Sequence, residues 1–292
     1  MVKFLATLVA VVVCGFSQAQ SFKISVGYGI PWISQPIGTN SETAYTVTMH
    51  PQGGTSEHHV SRTSDQVNAS YRAGFNASGA YTYKLAEHIA LELGLTYAMG
   101  KKYSIESSYK TSLDDIVQST SNERETSQSR AWLFTPALKF MTHKRVFTPY
   151  FSLGPVLGKI NFRRSLAKTS DDSGITASEY RNTKFMGGIA LGLRGAVGAS
   201  VTINKKLSWF TEINFTGMNY YAKKSEITSY IVNGEDKIQT LSQQVRNVQY
   251  VNKVSTDTSH ANDVATGPGK SLRFPLAMSA ISLNLGVVIN LY

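Results

Sequence analysis

The sequence predicts an all-β chain: a single antiparallel up-and-down transmembrane β-barrel, eight strands, with long outer loops. Three observations predict it. Eight segments alternate large apolar residues with small or polar ones at the strand period of two. The connections between them run long, short, long, short. The chain is rich in Tyr, Phe, Gly, Ser and Thr, only 16% charged, and poor in helix-favouring runs.

Residues 1–20 read as a signal peptide. Lys3 gives a basic start, and Phe4 to Phe16 is an apolar run too short for a spanning helix. Ser17-Gln18-Ala19 offers small residues for cleavage near Ala19 or Gln20. The single cysteine, Cys14, lies in that run after Val13, which is too large for a lipoprotein signal. Residues 21–292 then form one domain without cysteine, hence without disulfides. No later stretch is long and apolar enough for a transmembrane helix.

The first predicted strand is Phe22 to Ile30, with Phe22, Ile24, Val26, Tyr28 and Ile30 on one face and Lys23, Ser25, Gly27 and Gly29 on the other. The second covers Val67 to Tyr83. It sets Tyr71, Ala73, Phe75, Ala77, Tyr81 and Tyr83 against Ser70, Arg72, Gly74, Asn76, Ser78 and Thr82. The third is Ile89 to Met99, with Leu91, Leu93 and Leu95 opposite Ala90, Glu92 and Gly94. The fourth, Ala131 to Met141, aligns Trp132, Phe134, Leu138 and Phe140. The fifth, Phe147 to Gly158, aligns Phe147, Phe151, Leu153 and Leu157. The sixth, Phe185 to Ile203, opposes Leu191, Leu193 and Val197 to Gly192, Arg194 and Gly198. The seventh, Leu207 to Gly217, opposes Trp209, Ile213 and Phe215 to Ser208, Glu212 and Asn214. The eighth runs from Phe274 to Leu291 and changes parity between Met278 and Ile281, which calls for a bulge. Pro136 and Pro155 fall inside strands and call for bulges or strand ends.

The two faces differ in chemistry. One carries Leu, Ile, Phe, Trp and Tyr; the other carries Gly, Ser, Thr, Asn and a few charges. In a sandwich the large side chains would fill a shared core. In a membrane barrel they face lipid and the small polar set lines the lumen. Short links at residues 84–88, 142–145 and 204–206 fit inner turns. Long ones at 31–66, 100–130, 159–184 and 218–273 fit outer loops. Asn233-Gly234 between two apolar-alternating runs predicts a projecting hairpin, and Gly53-Gly54 suggests another.

Eight strands enclose an interior that side chains can fill. The predicted lumen charges are Arg72, Glu92, Lys139, Arg194 and Glu212, with Glu92 and Lys139 on neighbouring strands. Unpaired charges in so narrow a space are costly, so an ion-paired plug is expected rather than an open channel.

The formal net charge is +10. Lys101, Lys102, Arg163, Arg164, Lys223, Lys224, Lys253 and Lys270 put much of it in the connections. Such a rim attracts phosphorylated lipid headgroups and acidic polysaccharide; a secreted chain would not meet nucleic acid.

These features resemble the broad family of outer-membrane protein β-barrel domains, small barrels of the OmpA/OmpX kind. The signal peptide, the Gly- and aromatic-rich strands, Leu133-Phe-Thr-Pro136, Pro149-Tyr-Phe-Ser-Leu-Gly154 and the terminal Tyr292 carry the resemblance. Tyr292 is out of phase with Leu283, Leu285, Val287, Ile289 and Leu291. The resemblance implies a monomer in the bacterial outer membrane, in contact with outer-membrane lipid, lipopolysaccharide and the barrel-insertion machinery. An extracellular ligand would be met through the loops.

The expected role is structural or surface-interacting, with no catalytic residues, cofactor or metal. The alternatives are a small pore and a lipid-modifying enzyme. His59-Val60-Ser61 has the His-x-Ser spacing of barrel lipid A deacylases, but lies in a long connection. Asp114-Asp115 and Asp171-Asp172 have no histidine nearby, and His50, His58 and His59 match no ligand spacing. There is no Gly-x-Ser-x-Gly elbow and no phosphate loop.

Overall fold

Residues 20–48, 57–114, 116–142, 146–254 and 267–291 are described by a computed structural model. Residues 1–19 of the expected signal peptide, His50, Gly53-Gly54, Asp115, residues 143–145 and Tyr292 lie outside them, as does the side chain of His58.

The described residues are all-β, in one continuous sheet of sixteen strands. In chain order these are β1 (Gln20–Pro31), β2 (Gln35–Thr48), β3 (Glu57–Ala69), β4 (Gly74–Lys84), β5 (Ile89–Gly100), β6 (Tyr103–Leu113), β7 (Ile116–Met141) and β8 (Phe147–Asp172). Then come β9 (Ile175–Gly187), β10 (Ala190–Thr202), β11 (Leu207–Val232), β12 (Glu235–Asp236), β13 (Asn247–Val251), β14 (Gly269–Leu272), β15 (Pro275–Ala277) and β16 (Ala280–Asn290). One 3₁₀ turn (Ile238–Thr240) and one single-turn helix, α1 (Gln243–Arg246), complete the described elements.

Antiparallel pairings run from β1 to β4, β5, β7, β8, β10, β11 and β16, and from β16 back to β1. That circuit closes, so its strands have no free edge. Its faces are those the alternation assigns. Ile24, Val26, Leu193, Val197, Trp209, Ile213, Leu283 and Leu285 point outward and are exposed, while Lys23, Ser25, Thr96, Thr135, Ser208, Asn214 and Asn284 point inward and are buried. Large apolar residues outside and polar residues inside invert the pattern of a water-soluble core.

Sixteen strands are more than the eight expected, and the excess lies where loops were expected. β7, β8 and β11 each run for 26 residues, well past the closed circuit. Beyond it they are joined by the β2–β3 hairpin, β6, β9, β13 and β14, in the order β3-β2-β6-β7-β8-β9-β11-β13-β14. Among the described residues this wall is open, with edges at β3 and β14. β2 pairs with β6 in parallel, which the hairpin pattern did not suggest. Ser119 to Thr126 of β7 is polar at nearly every position, so a strand wet on both sides leaves no alternation to read.

Three predicted strands are broken in two. The second stops at Ala69, turns through Ser70–Ala73 and resumes as β4. The sixth splits at Gly188-Ile189 into β9 and β10, because β11 trades one partner for the other there. The eighth splits at Met278-Ser279, where its parity changes.

Pro136 and Pro155 need no bulge. The β7–β8 register is the same on both sides of them, Phe134 opposite Leu157 and Leu138 opposite Leu153. That register sets the two prolines against each other, and the ladder skips the intervening pairs. Each is paired on its other side, Pro136 with Leu93 and Pro155 with Leu193. Two residues lacking N–H thus share one gap instead of breaking two ladders.

The Asn233-Gly234 turn is present, with both residues at positive φ (50° and 83°) as a tight hairpin requires. Its return strand is only the two-residue β12; Ile238–Thr240 is a 3₁₀ turn. Ser173-Gly174 makes an equivalent turn between β8 and β9 (φ 53° and 87°).

Candidate functional site

The interior of the closed circuit is the candidate site, and it contains three layers. The lowest is ionic. Lys23 lies between two carboxylates, its Nζ 2.6 Å from Glu212 Oε2 and 3.3 Å from Glu92 Oε1. Lys139 Nζ reaches Glu92 Oε2 at 3.4 Å, and Arg194 Nη2 donates to Glu212 Oε1 at 2.8 Å. The Tyr150 hydroxyl donates to Glu212 Oε2 at 2.9 Å. The Lys139 ammonium also lies 4.0 Å from the centre of the Tyr150 ring, and Lys23 4.7 Å from that of Phe210.

The order Lys139–Glu92–Lys23–Glu212–Arg194, with Tyr150 against Glu212, draws on β7, β5, β1, β11, β10 and β8. Lys23, Glu92, Lys139 and Glu212 are all buried. Glycines make room: a Cβ on Gly198 would stand 2.6 Å from the Tyr150 ring.

Of the residues picked from sequence, the structure brings Glu92, Lys139, Arg194 and Glu212 together. Arg72 is not among them, and has no ion-pair partner among the described residues. Lys23, the centre of the cluster, was missed as a lumen charge. The signal was available, since alternation puts Lys23 on the polar face of the first strand.

The uppermost layer is apolar, and sequence reasoning did not anticipate it. Tyr71, Phe162, Phe185, Met218, Tyr220 and Met278 pack there with small residues around them. Tyr71 meets Phe162 edge-on with ring centres 4.7 Å apart, and Tyr103 at 5.7 Å. Tyr71 and Ala73 were expected to face outward; both are buried, because the Ser70–Ala73 turn ends the alternation.

That turn is bonded to opposite sides of the circuit. Tyr71 N–H donates to Ala277 O at 2.9 Å, and Ser279 N–H to Ser70 Oγ at 3.0 Å. Ser129 Oγ of β7 donates to Tyr71 O. Ser129 is on β7 and Ser279 leads directly into β16, strands four steps apart in the pairing circuit, so the turn spans the opening. Above it, burial pushes the Tyr103 phenol above its usual pKa, and the protonated hydroxyl donates to Ser70 O at 3.1 Å.

Between these layers lies a polar one, with Arg72, Asn76, Asn214, Ser282 and Asn284 buried.

The other candidates are dispersed. His59 and Ser61 sit on the exposed edge strand β3, paired with Thr46 and Ala44. Asp171 accepts from Gly174 N–H and Thr176 Oγ1, both at 3.1 Å, and so shapes the β8–β9 turn. Among the described residues no group of three or more His, Cys, Asp or Glu could hold a metal ion. Of the basic rim, Arg164 pairs with Glu125 at 2.9 Å. Lys223 and Arg273 border a groove of about 870 Å³ whose walls include Trp32, Ile189, Leu193 and Phe215.

No family model matches the chain, and no curated protein does. Solved structures similar to it include CarO2 of Acinetobacter baumannii, at 12% identity and TM-score 0.31, over 94% of this chain and 100% of that one. Ail, the attachment invasion locus protein of Yersinia pestis, matches at 11% and 0.26, over 94% and 99%. The outer-membrane protease OmpT of Escherichia coli matches at 9% and 0.30, over 94% and 97%. Likeness at this level assigns no activity.

Proposed function

We propose that the chain is an outer-membrane β-barrel with eight membrane strands and a closed lumen, whose role is structural or surface-interacting. The observation that carries this reading is the filled interior. Ion pairs from five strands, with Tyr150 from a sixth, meet across it, and a turn bonded to opposite walls lies above them. The exposed apolar exterior supports the membrane setting, because that much Leu, Ile, Phe and Trp is stable outside a barrel only against hydrocarbon.

The partner expected along that exterior is outer-membrane lipid, lipopolysaccharide included. The groove below Lys223 and Arg273 suits an acyl chain with an anionic headgroup. Purified protein in a planar bilayer should give no steady single-channel current. A stable, large conductance would replace this reading with the pore.

Surface interaction is favoured over a purely structural role by one feature, the β3 edge. Residues 59–66 are exposed throughout, and among the described residues β3 ends the sheet. An unpaired strand edge of that length is a template for strand addition. Single prolines scanned from Ser61 to Gln66 should abolish adhesion of cells displaying the protein only where the lost N–H points away from β2. Adhesion indifferent to that alternation would remove the edge from consideration.

A further inference from the structure

Arg72 sits in the Ser70–Ala73 turn and is 3% exposed. Its Nε and Nη1 have no acceptor among the described residues. The charge acting on it is that of Arg194, which has the same sign and is already bonded to Glu212. A guanidinium does not shed its proton in a protein. An unpaired charge is the most costly group to bury.

Among the described residues the imbalance extends to the interior from the turn downward. Lys23, Arg72, Lys139 and Arg194 face Glu92 and Glu212 there, four cations against two carboxylates. Hydrocarbon outside the wall offers no counterion.

Further unpartnered groups lie in the same layer: Asn76 Nδ2, Asn214 Oδ1, Ser282 Oγ and Asn284 Oδ1. The register puts them together. Gly27 of β1 stands between Asn76 and Asn284, and Gly29 between Gly74 and Ser282. Asn214 is opposite Ser282. The two glycines on β1 let the facing side chains lie over the strand: a Cβ on Gly27 would collide with Asn284 Oδ1, and one on Gly29 would stand 2.7 Å from Ser282 Oγ. Each amide can present its N–H end by rotating.

We propose that this layer binds a small inorganic anion of chloride size, with Arg72 as its charge partner and the Asn76 and Asn284 amides and the Ser282 hydroxyl as further donors. The ion pairs below and the aromatic layer above bound this layer, so its ion must be small. The inference rests on the closed lumen, since an open one would supply water and bulk counterions.

The test uses the full-length folded protein in detergent. Its unfolding temperature is compared in sodium chloride, sodium bromide and sodium gluconate at equal ionic strength. Chloride and bromide should raise it saturably over gluconate. Arg72→Met should lose that response, and Lys224→Met, at an exposed cation, should keep it. Crystals grown in bromide should give an anomalous peak within hydrogen-bonding reach of Arg72, which decides the matter even if Arg72→Met does not fold. Equal unfolding temperatures in all three salts with no peak at Arg72 overturn the proposal, and so do peaks at surface lysines alone. A bromide peak at Arg72 together with a steady bilayer conductance would keep the anion site and overturn the closed lumen.

Discussion

Replacing Lys23 with methionine removes the cation shared by two buried carboxylates while keeping most of the side-chain volume. At an effective dielectric of ~20, the Coulomb attraction of Lys23 is ~6 kcal/mol to Glu212 at 2.6 Å and ~5 kcal/mol to Glu92 at 3.3 Å. Most of that is offset by the cost of desolvating the three groups. What remains on mutation is the penalty of leaving carboxylates under-compensated, about 3–5 kcal/mol for a buried pair broken on one side. Glu212 keeps Arg194 and Tyr150, whereas Glu92 keeps only Lys139 at 3.4 Å, so Glu92 should suffer more. Urea unfolding from lipid vesicles, followed by tryptophan fluorescence, measures the loss. Adding Glu92→Gln to Lys23→Met should recover part of it. A Lys23→Met protein within ~1 kcal/mol of the parent would refute the claim that this cluster is dry and interdependent.

Three further outcomes are expected. Gly198→Val should destabilise by about 1–3 kcal/mol and lower the folded yield on gel mobility, because its Cβ would meet the Tyr150 ring at 2.6 Å and Thr211 O at 2.7 Å. Tyr71→Ala should cost about 3–5 kcal/mol and speed hydrogen exchange at Ala277 and Ser279, since it empties the centre of the aromatic layer. A variant retaining only Trp209, which is 63% exposed, should be quenched strongly by brominated lipid acyl chains. Weak quenching there would mean that the apolar face does not meet hydrocarbon.

The strands of the closed circuit were legible because each has one apolar and one polar side. Leu283, Leu285 and Ile289 on β16, against Ser282 and Asn284, display that contrast. The wall above was not legible, since Glu123, Arg124, Glu125 and Thr126 of β7 meet water on both faces and carry no period. Most of the ionic cluster was readable from alternation and neighbour order, and Lys23 lies on the polar face of its strand as that alternation requires. The aromatic layer was hidden differently. Tyr71 shares a run of alternating residues with Phe75, yet a four-residue turn between them sends one inward and the other outward. Arg72 inherits its position from the same turn, which no period of two could reveal.

The bonds from Ser70 and Tyr71 to residues 277–279 join segments more than two hundred positions apart in the chain. Sealing the passage therefore waits on the C-terminal segment, whose last strand also zips the cylinder shut against β1. Until that segment is in place the turn has no anchor on that side.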